Sequence, residues 1–196
     1  MPDTIDRFLP RADIAEDHAI TVRAPAALVF EVAEGLELES IPLVRALFRL
    51  RAILMGSTAP VAPRAGLAAM TRAIGWGELA RTPGRELVCG AVTQPWLADV
   101  AFRAVPAERF LEFAEPGLVK IVWTLEAEPR GDAATRFRSR TRALATDDDA
   151  RRRFARYWRW ARFGIVGIRW LLLPAVRREA ERRYRARGAR GILTPP

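Results

Sequence analysis

The sequence predicts an α+β fold in which a curved antiparallel sheet of about six or seven strands wraps around one long C-terminal helix. Residues 76–144 repeat with a period of two between turn residues, a pattern typical of short strands joined by short loops. Residues 147–187 carry the longest helical pattern in the chain. Because a sheet with one apolar face must be covered, the final helix is expected to fill the curve of the sheet.

The first part of the chain predicts one strand followed by a short helix. The alternating segment His18–Val22 is the strand, and it stops before Pro25, a residue that suits the first turn of a helix. The apolar stripe that follows has helical spacing and continues until Gly35. These residues therefore predict a strand that leads directly into a helix.

A second short helix and a covering loop are predicted next. Ser40 is a suitable N-cap with Pro42 just inside the helix, and Gly56 ends the pattern. Residues 56–75 are rich in Pro and Gly around a weak helical patch, Leu67–Ile74. Loops of this length in compact domains are often lids or binding loops, so we expect a covering loop with one short helix.

Six strands are predicted between residues 76 and 144. The gaps between them are short, and parallel neighbours would need crossovers of about a dozen residues or more, so the strands are expected to be antiparallel. The predicted strands are Trp76–Arg81, Glu86–Thr93, Asp99–Val105, Arg109–Ala114, Leu118–Glu128 and Ala134–Leu144.

Alternation along the last strand predicts which side of the sheet faces inward. Four arginines, at positions 136, 138, 140 and 142, share one face. Because four arginines cannot all face an apolar core, that face is expected to contact water and the opposite face to look inward.

The final helix is predicted to pack on the sheet through a continuous apolar seam. Thr146 is the expected N-cap, and the three aspartates after it suit the N-terminal end of the helix dipole. Pro174 is expected to kink or split the helix. The predicted seam consists of Phe154, Trp158, Ala161, Ile165, Ile168 and Leu172.

Composition and charge are those of a single globular domain. The formal net charge of +9 is concentrated in the last third of the chain. Cys89 is the only cysteine, so no intramolecular disulfide can form, and no secretory signal is predicted. We expect a cytoplasmic protein with an N-terminal extension (residues 1–17), one domain (residues 18–187) and a flexible tail (residues 188–196).

Several short motifs, taken in order, resemble a known family. They are Gly75-Trp76-Gly77-Glu78-Leu79, Pro83-Gly84-Arg85-Glu86-Leu87-Val88, Trp96, Phe110, Phe113, Pro116-Gly117, Lys120, Trp123, Thr141-Arg142, Thr146-Asp147, Ala150-Arg151, Phe154, Tyr157-Trp158, Ile168-Arg169 and Leu172. Across residues 18–183 the chain resembles the START-like superfamily, also called SRPBCC or polyketide-cyclase-like, and in particular an uncharacterised bacterial branch of it. Arg140 stands where that branch often has Glu, so no acid-dependent role is transferred.

The resemblance implies a helix-grip fold with a pocket for a lipid, sterol, polyketide or other hydrophobic molecule. The superfamily includes carriers, sensors, cyclases and hydroxylase subunits, so the fold does not select a function. The candidate ligand-binding residues are the inward aromatics with two hydroxyls beside them, although core packing and local backbone bonding also account for such residues. They are Trp76, Phe102, Phe113, Trp123, Phe137, Ser139, Thr141 and Trp158.

No catalytic residue, metal site or cofactor is predicted. His18 is the only histidine, so the chain has no histidine pair for a metal, and we expect its side chain to be exposed. The aspartates at 147–149 diverge by about 100° from one residue to the next around a helix, so capping explains them better than metal binding. Whether the protein is an enzyme stays open, with the sequence favouring a non-catalytic role.

The sequence is compatible with three functions. The first is binding or carriage of a small hydrophobic ligand in an internal cavity. The second is a polyketide cyclase or dehydratase-like enzyme, in which Glu78, Glu86, Glu112 or Ser139 would move protons. The third is a peripheral membrane or lipid-transfer role through residues 163–176, a segment too short to span a bilayer and better explained as a core helix that covers the sheet.

The expected partner is therefore a small hydrophobic molecule, with membrane contact as a further possibility. No nucleic-acid partner is expected, because no aromatic residue is interleaved with the arginines of the last strand. The sequence leaves the oligomeric state open.

Overall fold

The computed structural model describes residues 3–37 and 65–191, and between them positions 41, 45, 46, 49, 50, 53, 55 and 56; the side chains of residues 165 and 188–191 are not described. The predicted helix from Ser40 to Gly56 lies largely outside the described residues. The elements are α1 (Thr4–Phe8), β1 (Ile14–Val22), α2 (Ala26–Gly35), α3 (Leu67–Ala73), β2 (Gly77–Thr82), β3 (Glu86–Thr93), β4 (Phe102–Arg103), α4 (Ala107–Phe110), β5 (Val119–Pro129), β6 (Thr135–Ala145) and α5 (Asp148–Gly191).

The six strands form one antiparallel sheet in the order β1-β6-β5-β3-β2, with β4 paired to β3. This confirms the predicted α+β class, in which an antiparallel sheet is combined with a long C-terminal helix. The sheet side that faces α5 is called the inner face, and the opposite side is called the outer face. On the inner face, Leu125 and Phe137 pack with Leu172 and Val176 of α5 in the largest apolar cluster.

A second part of the inner face is covered by the first half of α5. Phe154 packs on Val119 and Ala143, and Trp158 lies at the edge of this cluster. The helix begins at Asp148, and Asp147 caps it by accepting a hydrogen bond from the Ala150 amide at 2.8 Å. The predicted N-cap was therefore one residue too early.

Helix α5 runs without interruption through Pro174. Of the two predicted effects of Pro174, the split is therefore wrong, and the kink stays a prediction. Leu172, Leu173 and Val176 are buried on both sides of the proline. Their packing holds both parts of the helix against the sheet, which offsets the hydrogen bond that proline cannot donate.

The outer face is partly covered, so the prediction that its arginines contact water is wrong for Arg140, whereas Arg136 is exposed as predicted. Ile5 and Phe8 of α1 pack with Leu79, Val88 and other outer-face residues in a separate apolar cluster. The N-terminal segment is thus part of the packed structure, and β1 begins at Ile14, before the predicted start at His18.

Arg140 shows why the prediction for the outer face failed. Only 5% of the residue is exposed, and its guanidinium lies 2.7 Å from Glu126 Oε1 and also pairs with Asp3. Arg142 pairs with Asp6 and donates a hydrogen bond of 2.8 Å to the Leu9 carbonyl. Acids supplied by the N-terminal segment and by β5 therefore allow two arginines of this row to lie beneath that segment.

The predicted strand Arg109–Ala114 is wrong, because Ala107–Phe110 forms the short helix α4. Pro106 precedes this helix, and Phe110 is fully buried under the outer face. Lys120 Nζ donates a hydrogen bond of 2.7 Å to the Leu111 carbonyl and lies 5.5 Å from the centre of the Phe110 ring. These contacts fix the segment as a cover on the sheet, where it forms no strand.

Candidate functional site

Three aromatic side chains meet at the inner face, and they are called the aromatic group. Trp76 stacks at a tilt on Phe102 with ring centres 5.0 Å apart, and its ring centre is 6.3 Å from that of Trp123 in an edge contact. All three side chains are only partly buried. They therefore present aromatic surface that the core does not fully cover.

Gly75 explains how Trp76 comes so close to β4. Its φ of 100° is in the region that favours glycine. A Cβ at this position would lie 2.2 Å from the Phe102 carbonyl oxygen. A side chain at residue 75 would thus push β4 away and separate Trp76 from Phe102.

A polar patch lies on the inner face of β1 and β6. The strand register sets Glu16 opposite Thr141 and His18 opposite Ser139. Ser139 and Thr141 are 2% and 7% exposed, whereas Glu16 and His18 are half-buried. Four polar side chains therefore occupy adjacent positions on a surface that is otherwise largely apolar.

Arg169 of α5 completes this patch from the helix side. Its Nη2 donates a hydrogen bond to Thr141 Oγ1, which brings the guanidinium across to the sheet. Its Nη1 is buried and has no hydrogen-bond partner within the described part of the chain. Glu16, His18, Ser139, Thr141 and Arg169 together are called the inner polar cluster.

Burial lowers the pKa of Arg169 to about 10, although the negative charge of Glu16 acts in the opposite direction. The cause is desolvation, because removal of water disfavours the charged form of a base. A group with this pKa is still protonated at neutral pH. The inner polar cluster therefore holds a buried positive charge.

His18 is the second unsatisfied member of the cluster. Its Nε2 lies 3.3 Å from Glu16 Oε2, but the contact lacks hydrogen-bond geometry. Among the residues that the structure describes, this buried nitrogen has no hydrogen-bond partner. The expectation that His18 is exposed is therefore wrong, because β1 turns this side chain to the inner face.

The aromatic group and the inner polar cluster are neighbours. Trp123 on β5 is directly opposite Thr141 on β6. Apolar rows lie on either side of the polar patch, with Ile20 opposite Phe137 on one side and Ile14 opposite Ala143 on the other. The inner face therefore offers a charged group, several polar groups and an aromatic surface in one continuous region, as many ligand sites do.

The structure brings together most, but not all, of the residues predicted from the sequence. Trp76, Phe102, Trp123, Ser139 and Thr141 lie in this region. Phe137 lies in the adjacent row and is fully buried. Trp158 lies further along α5, where its ring centre is 6.0 Å from that of Phe154.

Phe113 was predicted as a member of this site, but the structure places it elsewhere. It packs at the margin of the outer-face cluster, and Arg103 lies 5.5 Å from the centre of its ring. The prediction of an inward position depended on a strand at residues 109–114. Because this segment forms a helix and a loop, Phe113 is on the opposite side of the sheet from Trp123.

Sequence reasoning missed three members of the inner polar cluster: Glu16, His18 and Arg169. A signal for the first two was present, because every second residue of a strand lies on the same face, and positions 14, 16, 18, 20 and 22 share one face of β1. Arg169 stood out only as the charged residue in an otherwise apolar stretch. Its spacing of four residues from Ile165 and three from Leu172 places it near the predicted seam, but its contact with β6 could not be predicted.

The acids proposed as proton-moving groups are mostly outside this region. Glu112 is exposed, and Glu86 is bound by the Thr4 hydroxyl at 2.9 Å beneath α1. Glu78 is bound by Arg81 at 2.9 Å, and this hydrogen bond lowers its pKa. Of the four candidates, only Ser139 belongs to the inner polar cluster.

A separate open depression of about 510 Å³ lies where α2, α3 and β2 meet. Three of its charged side chains are paired, because Arg81 is 2.6 Å from Glu34 and 2.9 Å from Glu78. Arg72 lines it as well. Nearby, burial raises the pKa of the Cys89 thiol to about 12, so it is not a reactive thiolate at neutral pH. Among the described residues, none that lines this depression has a buried polar atom without a hydrogen-bond partner.

Helix α5 has an exposed aromatic stripe on its outer surface. Trp160, Phe163 and Trp170 are 77%, 66% and 72% exposed, and their spacing of three and seven residues places them on one side of the helix. Arg159 and Arg162 flank the stripe and are also exposed. In the described chain, no helix combines the length and the apolar character needed to cross a membrane.

No protein-family model matches the sequence, and no curated protein is significantly similar to it. Among solved structures, the ZhuI aromatase/cyclase from Streptomyces sp. R1128 aligns with 16% identity and a TM-score of 0.31, over 89% of this chain and 98% of that one. A protein from Deinococcus radiodurans aligns with 15% identity and a TM-score of 0.30, over 77% of this chain and 99% of that one. At such TM-scores, neither likeness supports an inference about function.

Proposed function

We propose that this protein binds or carries a small, mainly hydrophobic molecule between the inner face of its sheet and helix α5. The observation that supports this most directly is the aromatic group beside a buried, incompletely satisfied polar cluster. A protein core normally pairs its buried polar groups, and unpaired ones cost stability. Groups left unpaired beside partly exposed aromatic rings are what a site for an amphipathic ligand requires.

The START-like resemblance belongs to this same proposal. It rests on the motifs in the sequence and agrees with the arrangement of sheet and helix. The resemblance adds lipids, sterols and polyketides as candidate ligand classes. The residues proposed to contact the ligand are Trp76, Phe102, Trp123, Thr141 and Arg169.

Native mass spectrometry of freshly purified protein tests the proposal, followed by solvent extraction of any bound molecule. A stoichiometric adduct of apolar character is expected. The Trp123→Leu variant should lose most of this adduct, whereas Phe113→Leu, on the opposite side of the sheet, should keep it. An adduct retained equally by both variants, or bare protein that also fails to bind any acyl, sterol or polyketide probe, would contradict the proposal.

The enzyme alternative requires a proton-moving group on the inner face. His18 and Ser139 lie there, and the Glu16 carboxylate lies 3.3 Å from His18 Nε2. The alternative predicts that the molecule recovered from the protein differs in mass from its precursor in the cell. His18→Asn should then accumulate the precursor on the protein, and an identical adduct in both proteins would contradict catalysis by His18.

Peripheral membrane binding is a second candidate function, favoured by the exposed aromatic stripe on α5. Aromatic rings that insert at the headgroup level, flanked by arginine, are typical of helices that bind anionic bilayer surfaces. Flotation with phosphatidylcholine vesicles that contain phosphatidylglycerol should recover the protein at low salt but not at high salt. A Trp160→Ala/Trp170→Ala variant should not float, whereas Leu111→Ala, at an exposed apolar site elsewhere, should float normally. Absence of the protein from the vesicle fraction at low salt would exclude this function.

A further inference from the structure

We propose that the ligand of the inner site is an acid, and that Arg169 binds its anionic group inside the protein. This inference rests on the proposed function and names the ligand class: an amphipathic molecule with one compact anionic group, such as a carboxylate, on an apolar body. Three features of the inner face lead to it, namely the state of Arg169, its fixed orientation and the position of the apolar surface.

Arg169 is a buried cation that lacks a full set of partners. A guanidinium has five N–H donors and no acceptor, so burial of a free Nη1 leaves donors that only an added acceptor can satisfy. Glu16 contributes its negative charge, but no hydrogen bond joins it to Arg169 within the described residues. A buried charge of this kind is costly unless it is paired and hydrogen-bonded. An anionic ligand would supply both.

The orientation of the guanidinium is set before any ligand binds. The hydrogen bond from Nη2 to Thr141 Oγ1 ties the head of the side chain to β6, and the planar group then has one defined direction for Nη1. A carboxylate or similar anion bound at Nη1 would form a charge-assisted hydrogen bond, which is stronger than a neutral one. Fixing the donor in advance reduces the entropy lost on binding.

The surroundings of the polar cluster suit the rest of such a molecule. Trp123 is directly opposite Thr141 across the strand pair, and Trp76 contacts Trp123. His18, with its own unpaired buried nitrogen, lies one strand away from this pair. A ligand with its acid at Arg169 would therefore have apolar surface within reach in the same region, and a second polar group of the ligand could bind His18.

A pair of probes that differ only in the acid tests this inference. Decanoic acid and 1-decanol have the same chain with and without a carboxylate, and isothermal titration calorimetry measures their affinity for the full-length protein. The wild-type protein should bind one decanoate with an affinity at least about ten-fold higher than that for decanol, the minimum expected for a hydrogen bond to a charged group. Arg169→Gln should remove this preference while the affinity for decanol changes little.

Arg159→Gln is the matched control, because it removes the same charge from an exposed position of the same helix. It should keep the preference for the acid. Arg169→Lys, which keeps the charge, serves where Arg169→Gln does not fold, and it should retain only part of the preference because lysine lacks the planar fork. Equal affinities for the acid and the alcohol in the wild-type protein would overturn the inference and leave the proposed function intact. Binding of neither probe would count against both.

Discussion

Arg169 on the long helix and Thr141 in the middle of β6 are joined by a hydrogen bond from Nη2 to Oγ1. This is the contact through which a charged side chain from α5 reaches the inner face of the sheet. It occurs in the gap between the two apolar clusters that the helix forms with the sheet. The bond satisfies one side of the guanidinium and leaves Nη1 for another partner.

Replacing Thr141 by Val should therefore lower the free energy of unfolding by more than the loss of a hydroxyl group that has no charged partner. The substitution removes the hydrogen-bond acceptor of Nη2 and leaves a buried charged donor unpaired, so we expect a loss of about 1–3 kcal/mol in the free energy of unfolding. The double variant Thr141→Val/Arg169→Met should recover much of this loss, because apolar replacement of a complete polar pair is often neutral. Urea denaturation of both single variants and the double variant gives the coupling energy. Additive effects of the two substitutions would contradict the contact.

The outer face yields a prediction about the N-terminal helix. Ile5 is fully buried between α1 and the sheet, so Ile5→Ala should lower the free energy of unfolding by about 2–5 kcal/mol, as expected for an aliphatic core residue. Arg7→Ala, at an exposed position of the same helix, should have little effect. Thermal and urea unfolding measure both. A change below about 0.5 kcal/mol for Ile5→Ala, the usual range for surface substitutions, would show that α1 is not part of the packed core.

Gly75 provides a test of how the aromatic group is positioned. Gly75→Ala should destabilise the protein, because a Cβ would meet the Phe102 carbonyl and residue 75 has a positive φ. It should also weaken decanol binding, since Trp76 would move away from Phe102. Gly131→Ala is the matched control, with a positive φ but no atom within 4 Å of the added Cβ. Gly131→Ala should lose stability through backbone strain and keep its affinity for decanol. A normal affinity for decanol in Gly75→Ala would therefore argue against a role for the aromatic group.

Much of the fold could be predicted from local patterns, and the failures arise where tertiary contacts decide the outcome. The strand Glu86–Thr93 was predicted with its observed bounds, because alternation and the turn before it depend on neighbouring residues alone. Arg140 was assigned to water because nothing local showed that Asp3, 137 residues earlier, would reach it. Residues 109–114 were predicted as a strand, but burial of Phe110 and the hydrogen bond from Lys120 decide their conformation.

The candidate site was predictable to a similar degree. Trp123, Ser139 and Thr141 were found because alternation identifies the inner face of a strand. His18 and Glu16 follow the same rule on β1, but the strand was predicted to start at His18, too late to include Glu16. Arg169 could not be assigned, because its contact with Thr141 depends on how the helix is placed over the sheet, which sequence spacing does not give.

The ion pairs of Glu179 near the end of α5 should make the stability of the protein depend on pH. Glu179 is bound by Arg182 at 2.8 Å and by Arg183 at 2.7 Å, and these bonds lower the pKa of Glu179 from 4.5 to about 2. A carboxylate with a lowered pKa in the folded state stabilises the protein above its unfolded pKa, and this contribution is lost as the pH falls from about 4.5 to about 2. Glu179→Gln should therefore have a lower urea midpoint than the wild type at pH 7, and the two midpoints should converge towards pH 2. The difference should be small and should shrink at high salt, because the arginine partners are largely exposed. A difference that stays constant from pH 7 to pH 2 would mean that the ion pairs do not contribute to stability.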